Sequence, residues 1–374
     1  MKNVLKSFSL NFTSVAVNIG IFNIILLPYL YDLNNESYLQ FTSLLYGALF
    51  FVHSLNSTAF NYAVINCNKN KFDVSLFLVF FVVYAIASYV ISDSFFMFLF
   101  LVSLYIYDTV INWLRIKELD YAVAAVNIVN MLVLSALVML LQVDVLLSNI
   151  IISVILSILS LVFIFSKKTV KFIVDFQGLR HYKISALLYN SSPVLSRYVD
   201  KILVLGFFET KVQLIALPII SMLGIVMLPI SIGSKVLMRS YKHSASSYNL
   251  KLVLLLLLVS LNVLILATSV GVSYLYNIEI DFLVFIAVFL MCLSKIFNIL
   301  DLLNYSLFSR LLESNEFITK FTILILSLTF AIVCLLNLLV GDLNLYFLFL
   351  LPLAFFLIVT SQLIFLNRSD LSKT

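Results

Sequence analysis

Charge is the scarcest property of this 374-residue chain: Asp, Glu, Lys and Arg make up 11% of it, against 63% hydrophobic residues. A soluble globular domain carries about twice that share of charge, so composition excludes a water-soluble core. Cysteine is almost missing. Cys67, Cys292 and Cys334 lie far apart, form no CxxC pair and offer no disulfide framework, which leaves them as packing residues. His53, His181 and His243 are too scattered to ligate a metal, and neither a GxxxxGK[ST] loop nor an HExxH motif occurs. No cofactor, no nucleotide hydrolysis and no enzymatic activity are therefore expected. The net charge of +5 is spread over short loops between apolar runs, a pattern of membrane orientation and not of nucleic-acid binding.

What is present is a succession of long apolar runs, with a mean hydropathy of +1.13 and 34 Phe. About 20 apolar residues are needed to cross roughly 30 Å of hydrocarbon. On that measure the spans fall near residues 8–30, 38–64, 72–91, 94–114, 120–141, 145–166, 184–208, 212–234, 250–275, 282–309, 317–340 and 344–366. The expected fold is all-α, a polytopic membrane protein of about twelve helices. The second and tenth segments are long enough to tilt. The first follows Lys2 and Lys6, exceeds a signal-peptide core and lacks a small-residue cleavage pattern, so it is read as retained.

Nearly all of the 23 Lys and Arg fall in loops on one side, with Lys211 on the other and Arg197, Lys201 and Lys295 inside spans. The positive-inside rule places both termini in the cytoplasm. The opposite loops are short and carry Asp32, Glu36, Asp93, Asp144, Glu209, Glu279, Asp281 and Asp342. A basic connection, residues 167–183, divides the chain into an N-terminal six-helix lobe, 1–166, and a C-terminal one, 184–374. Within it Val170, Phe172, Ile173, Val174, Phe176 and Leu179 alternate with Lys171, Arg180 and Lys183. That mixture fits a segment lying on the anionic inner leaflet as well as it fits a solvated linker. The fourth and tenth spans carry Asp108 and Asp301 and end in Arg115 and Arg310, a faint parallel repeat.

Charges inside spans are the informative ones, because each costs roughly 2.5 to 3.5 kcal/mol at mid-bilayer and so faces a partner or water. Asn190, Arg197, Asp200 and Lys201 share one face of the seventh span, with Pro193 beside them. Lys295, with Asn298 on its face, sits at similar depth in the tenth. His53 lies midway along the second span, with Asn56 and Ser57 nearby.

The stretch Tyr198-Val199-Asp200-Lys201 through Leu205-Gly206-Phe207-Phe208 resembles the Asp-Arg, apolar, Gly-Tyr/Phe-Phe pattern of Wzx-type polysaccharide flippases. These belong to the multidrug/oligosaccharidyl-lipid/polysaccharide (MOP) exporter superfamily. Leu27-Pro28-Tyr29-Leu30, Trp113-Leu114-Arg115 and the position of Pro229 are similar as well. Lys201 stands where the pattern has Arg, and Gln213-Leu214-Ile215 where it has Gly-x-Tyr. The resemblance implies two MATE/MOP-like six-helix lobes in a bacterial cytoplasmic (inner) membrane. The implied substrate is an undecaprenyl-pyrophosphate-linked oligosaccharide for O-antigen or another surface polysaccharide. Implied partners are that lipid-linked oligosaccharide, membrane lipids, a polysaccharide polymerase and a chain-length regulator.

On this reading Arg197 and Lys295, with Lys201 and Asn190, bind the pyrophosphate, and Asp200, Asp108, Asp301 and His53 gate or balance charge. The structural alternatives are an Arg197–Asp200 pair, Lys201 reaching for the outer surface, Lys295 bridged to Asp108 or Asp301, and His53 hydrogen-bonded between helices. Two other classes fit the sequence less well. A multidrug exporter needs deep acidic groups for its cations, and the deepest groups here are basic. A polymerase or ligase needs a large outer loop, which the short acidic loops do not supply.

Overall fold

In hydrocarbon every backbone N–H and C=O must be satisfied within its own segment, so apolar runs of this length fold as helices. The computed structural model describes residues 16–65, 71–117, 119–166, 171–176, 194, 198–226, 250–308 and 312–371. In chain order the helices are α1 (Ala16–Leu33), α2 (Asn35–Ile65), α3 (Ser75–Ile91), α4 (Phe95–Ile116), α5 (Asp120–Met139) and α6 (Val145–Ser166). They continue with α7 (198–207), α8 (Thr210–Val226), α9 (Leu250–Tyr276), α10 (Phe282–Phe308), α11 (Leu312–Val340) and α12 (Leu345–Leu371). Each expected span thus carries a helix, and the chain is an all-α polytopic membrane protein apart from one short strand pair.

Seven of the described helices are long and apolar enough to cross a membrane, and α3, α8 and the described apolar part of α10 are shorter. The second span departs from expectation in character. It is a 31-residue helix, yet His53, Ser54, Asn56, Ser57, Thr58 and Asn61 give it a polar stripe and keep it outside that apolar group. Lipid-facing surfaces are evident elsewhere: Val82, Val83, Ile86 and Val90 on α3 and Leu324, Leu328 and Leu335 on α11 are all more than half exposed. Contiguous apolar surface of that kind is expected against lipid and unusual against water.

Proline shapes two helices. Residues Ile21–Leu26 of α1 form a π-helical stretch just ahead of Pro28, which has no N–H to give the carbonyl four residues back; the wider turn relieves the ring clash. Pro218 lies inside α8. Gly271 of α9 lies where an added Cβ would run into the end of the Met222 side chain on α8, so glycine there permits the close approach of these two helices. Gly341, with φ of +83°, donates its N–H to Asn337 O at 2.8 Å and ends α11 in the left-handed conformation.

The chain forms two compact units, Met1–Tyr29 with Gln40–Leu195, and Leu30–Leu39 with Ser196–Thr374. The boundary after Leu195 falls within the 184–208 segment, where the sequence reading started the second lobe at 184. In the first unit α4 is the hub, packing on α3, α5 and most extensively on α6, with α5 and α6 also paired. In the second unit α10 holds the corresponding place, packing on α9, α11 and most extensively on α12, with α11 and α12 paired. The faint repeat seen in Asp108 and Asp301 therefore has a counterpart in helix packing. In the second unit the loops after α7 and α11 are clipped together: Glu209 N–H donates to Leu343 O at 3.0 Å and Leu343 N–H to Phe207 O at 2.9 Å.

The 167–183 connection contains structure that hydropathy did not indicate. Strand β2 (Lys171–Ile173) pairs in parallel with β1 (Lys71–Asp73), setting Lys71 against Lys171, Phe72 against Phe172 and Asp73 against Ile173. Phe172 turns inward onto Trp113, ring centroids 5.1 Å apart, with Lys117 Nζ 5.3 Å above its ring. Lys117 itself is buried at the end of α4 and donates to Ile164 O at 3.0 Å; burial lowers its pKa. The buried Asp73 carboxylate organises the junction, accepting from Ser75 N–H at 2.9 Å, Ser75 Oγ at 2.6 Å and Tyr62 OH at 3.2 Å. Ser75 Oγ in turn accepts from Asp175 N–H at 2.6 Å. Hydrogen bonds to a charged group contribute about 1.5–3 kcal/mol each. Asp73→Ala is therefore expected to speed amide exchange at Ile173–Asp175 by at least about tenfold in hydrogen-exchange mass spectrometry, while amides in α4 and α6 hold their protection.

Candidate functional site

Lys295 is the central residue of the 27-residue α10, about 20 Å from either helix end. Its Nζ meets Asp200 Oδ2 of α7 at 2.8 Å. Lys201, next along α7, turns its Nζ back to Asp200 Oδ1 at 3.3 Å and lies 5.6 Å over the Tyr198 ring. The Lys201 backbone N–H donates to the same oxygen at 2.9 Å. The three side chains are 13% (Lys201), 6% (Asp200) and 15% (Lys295) exposed. One carboxylate thus faces two ammonium groups.

Two of the structural alternatives are settled by this geometry. Lys201 turns to the Asp200 carboxylate, the side chain of its neighbour in sequence, which also accepts its backbone N–H. Lys295 takes Asp200 as partner and not Asp108. Asp301 lies further along α10 at a position whose side chain is outside the described residues, as are Arg197 and Asn190 altogether.

A second polar cluster lies in the first unit. Asp108 of α4 accepts from Asn56 Nδ2 of α2 at 2.9 Å and from Asn112 Nδ2 at 3.2 Å, and His53 Nε2 stands 3.6 Å from its other oxygen. Thr109 Oγ1 donates to Asn56 Oδ1 at 3.1 Å, and Arg115 reaches the cluster through Asn112 Oδ1, also at 3.1 Å. Asp108 is thus joined to Arg115 by a relay through Asn112. Asn56 joins the two helices through Asp108 and Thr109, while Asn112 ties Asp108 to Arg115 within α4; the sequence reading gave Thr109 and Asn112 no role. Their signal was available: Asp108, Thr109 and Asn112 lie at i, i+1 and i+4, one face of α4. Among the described residues no group of three His, Cys, Asp or Glu is placed to hold a metal ion.

No known family and no curated protein matches the sequence. A solved structure does: a MOP superfamily transporter from Pyrococcus furiosus Vc1 (DSM3638), whose binding pocket is described as having reverse polarity, is similar over 99% of this chain and 97% of its own. The TM-score is 0.54 and the identity 11%. At that identity the likeness is one of fold, and the chain is a membrane protein with the fold of a MOP superfamily transporter.

Proposed function

We propose that the protein is a Wzx-type flippase, which carries undecaprenyl-pyrophosphate-linked oligosaccharide units from the cytoplasmic to the outer face of a bacterial inner membrane. The observation that carries this reading is the Asp200, Lys201 and Lys295 cluster, in which two buried ammonium groups share one carboxylate. An anion at mid-membrane is stabilised by such a group, and a cationic drug is repelled by it. The fold likeness to a MOP superfamily transporter supports alternating access as the means.

In this mechanism the two units open inward and the pyrophosphate approaches Lys295, with Arg197 and Lys201 adding positive charge and Asn190 a neutral donor. Asp200 keeps the lysines solvated by a carboxylate when no phosphate is there. The prenyl tail stays in lipid while the headgroup crosses. Rocking of the units then exposes the headgroup outward, while Asp108, His53 and Asp301 balance charge nearer the cytoplasm. A polymerase and a chain-length regulator take the product on. Both termini lie in the cytoplasm.

Deletion of the chain tests the reading in cells. The expected result is accumulation of lipid-linked oligosaccharide on the cytoplasmic face, with loss of surface polysaccharide. Unpolymerised units accumulating on the outer face would mark a polymerase, and unchanged polysaccharide with raised drug sensitivity would mark an exporter.

A further inference from the structure

We propose that the β1–β2 strand pair is a docking strip for anionic phospholipid of the surrounding bilayer. The parallel register sets Lys71 directly across from Lys171, on strands about 4.8 Å apart, and both side chains are exposed. Like charges facing each other across a ladder are destabilising. Neither lysine forms an ion pair among the described residues, so nothing in the described chain relieves that repulsion. A phosphodiester between the two ammonium groups does.

The residues that follow β2 supply the apolar half of such a surface. Ile173, Val174 and Phe176 are 37%, 52% and 57% exposed, and the one carboxylate among them, Asp175, has its N–H tied to Ser75 Oγ. The pair stands where α4 and α6 end and α3 begins, which is the level at which those spans leave hydrocarbon for headgroups. Exposed apolar side chains beside lysines at that level are the composition of an interfacial segment.

The strip is also preformed. Phe172 is seated on Trp113 and Lys117, and Asp73 ties the strand end to α3, so lipid binding orders nothing new. This inference is independent of the transported substrate, since it concerns the first unit's surface and not the Asp200 cluster.

The chain's single Trp reports on the strip, because Trp113 lies directly beneath Phe172. The full-length protein is placed in phosphatidylcholine nanodiscs doped with brominated phosphatidylglycerol or, at the same fraction, with brominated phosphatidylcholine, and quenching of Trp113 is read. The expected result is preferential quenching by the brominated phosphatidylglycerol, weakening as salt is raised. Lys71→Gln/Lys171→Gln should lower that preference by about 30-fold, while Lys71→Arg/Lys171→Arg keeps it and so separates lost charge from lost folding. Equal quenching by the two lipids, or an unaltered preference in the Gln double variant, would overturn the proposal.

Discussion

Lys295→Met is expected to abolish most transport while leaving the protein inserted and folded. The reasoning rests on charge count. With Lys295 gone, Lys201 still neutralises Asp200 at 3.3 Å, so the variant buries no unpaired charge, and Met fills the volume of the lysine stem. What disappears is the second ammonium group on Asp200, at the middle of α10. A hydrogen bond to a charged group is worth about 1.5–3 kcal/mol, so surface polysaccharide export should fall by roughly 10- to 150-fold at normal membrane levels of the protein. Lys295→Arg, which keeps the charge, should retain a measurable part of the activity.

Asp200→Asn has the opposite profile, with stability as the first casualty. Asn keeps the shape of Asp but removes the carboxylate that Lys201 and Lys295, both less than a sixth exposed, share. Breaking a buried pair by removing one partner costs about 3–5 kcal/mol, most of it the penalty of the stranded charge. The purified variant should therefore unfold earlier in detergent than the wild type. Asp200→Asn/Lys201→Met leaves one cation in place of two and should recover part of the loss. Equal stability of Asp200→Asn and wild type would mean that water, and not Asp200, solvates the lysines.

The helices were legible because lipid makes hydropathy decisive: α6 was expected at 145–166 and occupies Val145–Ser166, and α10 was expected at 282–309 and occupies Phe282–Phe308. The strand pair was not legible. Lys-Phe-Asp and Lys-Phe-Ile are too short to show a period of two, and their pairing joins residues a hundred positions apart. The buried role of Asp73 was hidden for the same reason. Of the candidate site, face arithmetic put Asp200 and Lys201 on one stripe of the seventh span and Lys295 at mid-depth in the tenth. It could not say which helix opposes which, and so gave Asp108 and Asp301 only as examples of a partner for Lys295, which pairs with Asp200. His53 and Asn56 of α2 each meet Asp108 of α4, contacts that single-helix periodicity does not encode.

The central claim is that the Lys295 ammonium group helps to carry a pyrophosphate-linked glycan across the membrane. It is tested most directly by reconstituting the wild type and Lys295→Met into vesicles containing undecaprenyl-pyrophosphate-linked oligosaccharide, and measuring the fraction of glycan that becomes accessible to an impermeant lectin over time. The account predicts rapid exposure with the wild type and exposure slowed by roughly 10- to 150-fold with Lys295→Met. A wild type that exposes no more glycan than empty vesicles, or a Lys295→Met that matches the wild type, would contradict it.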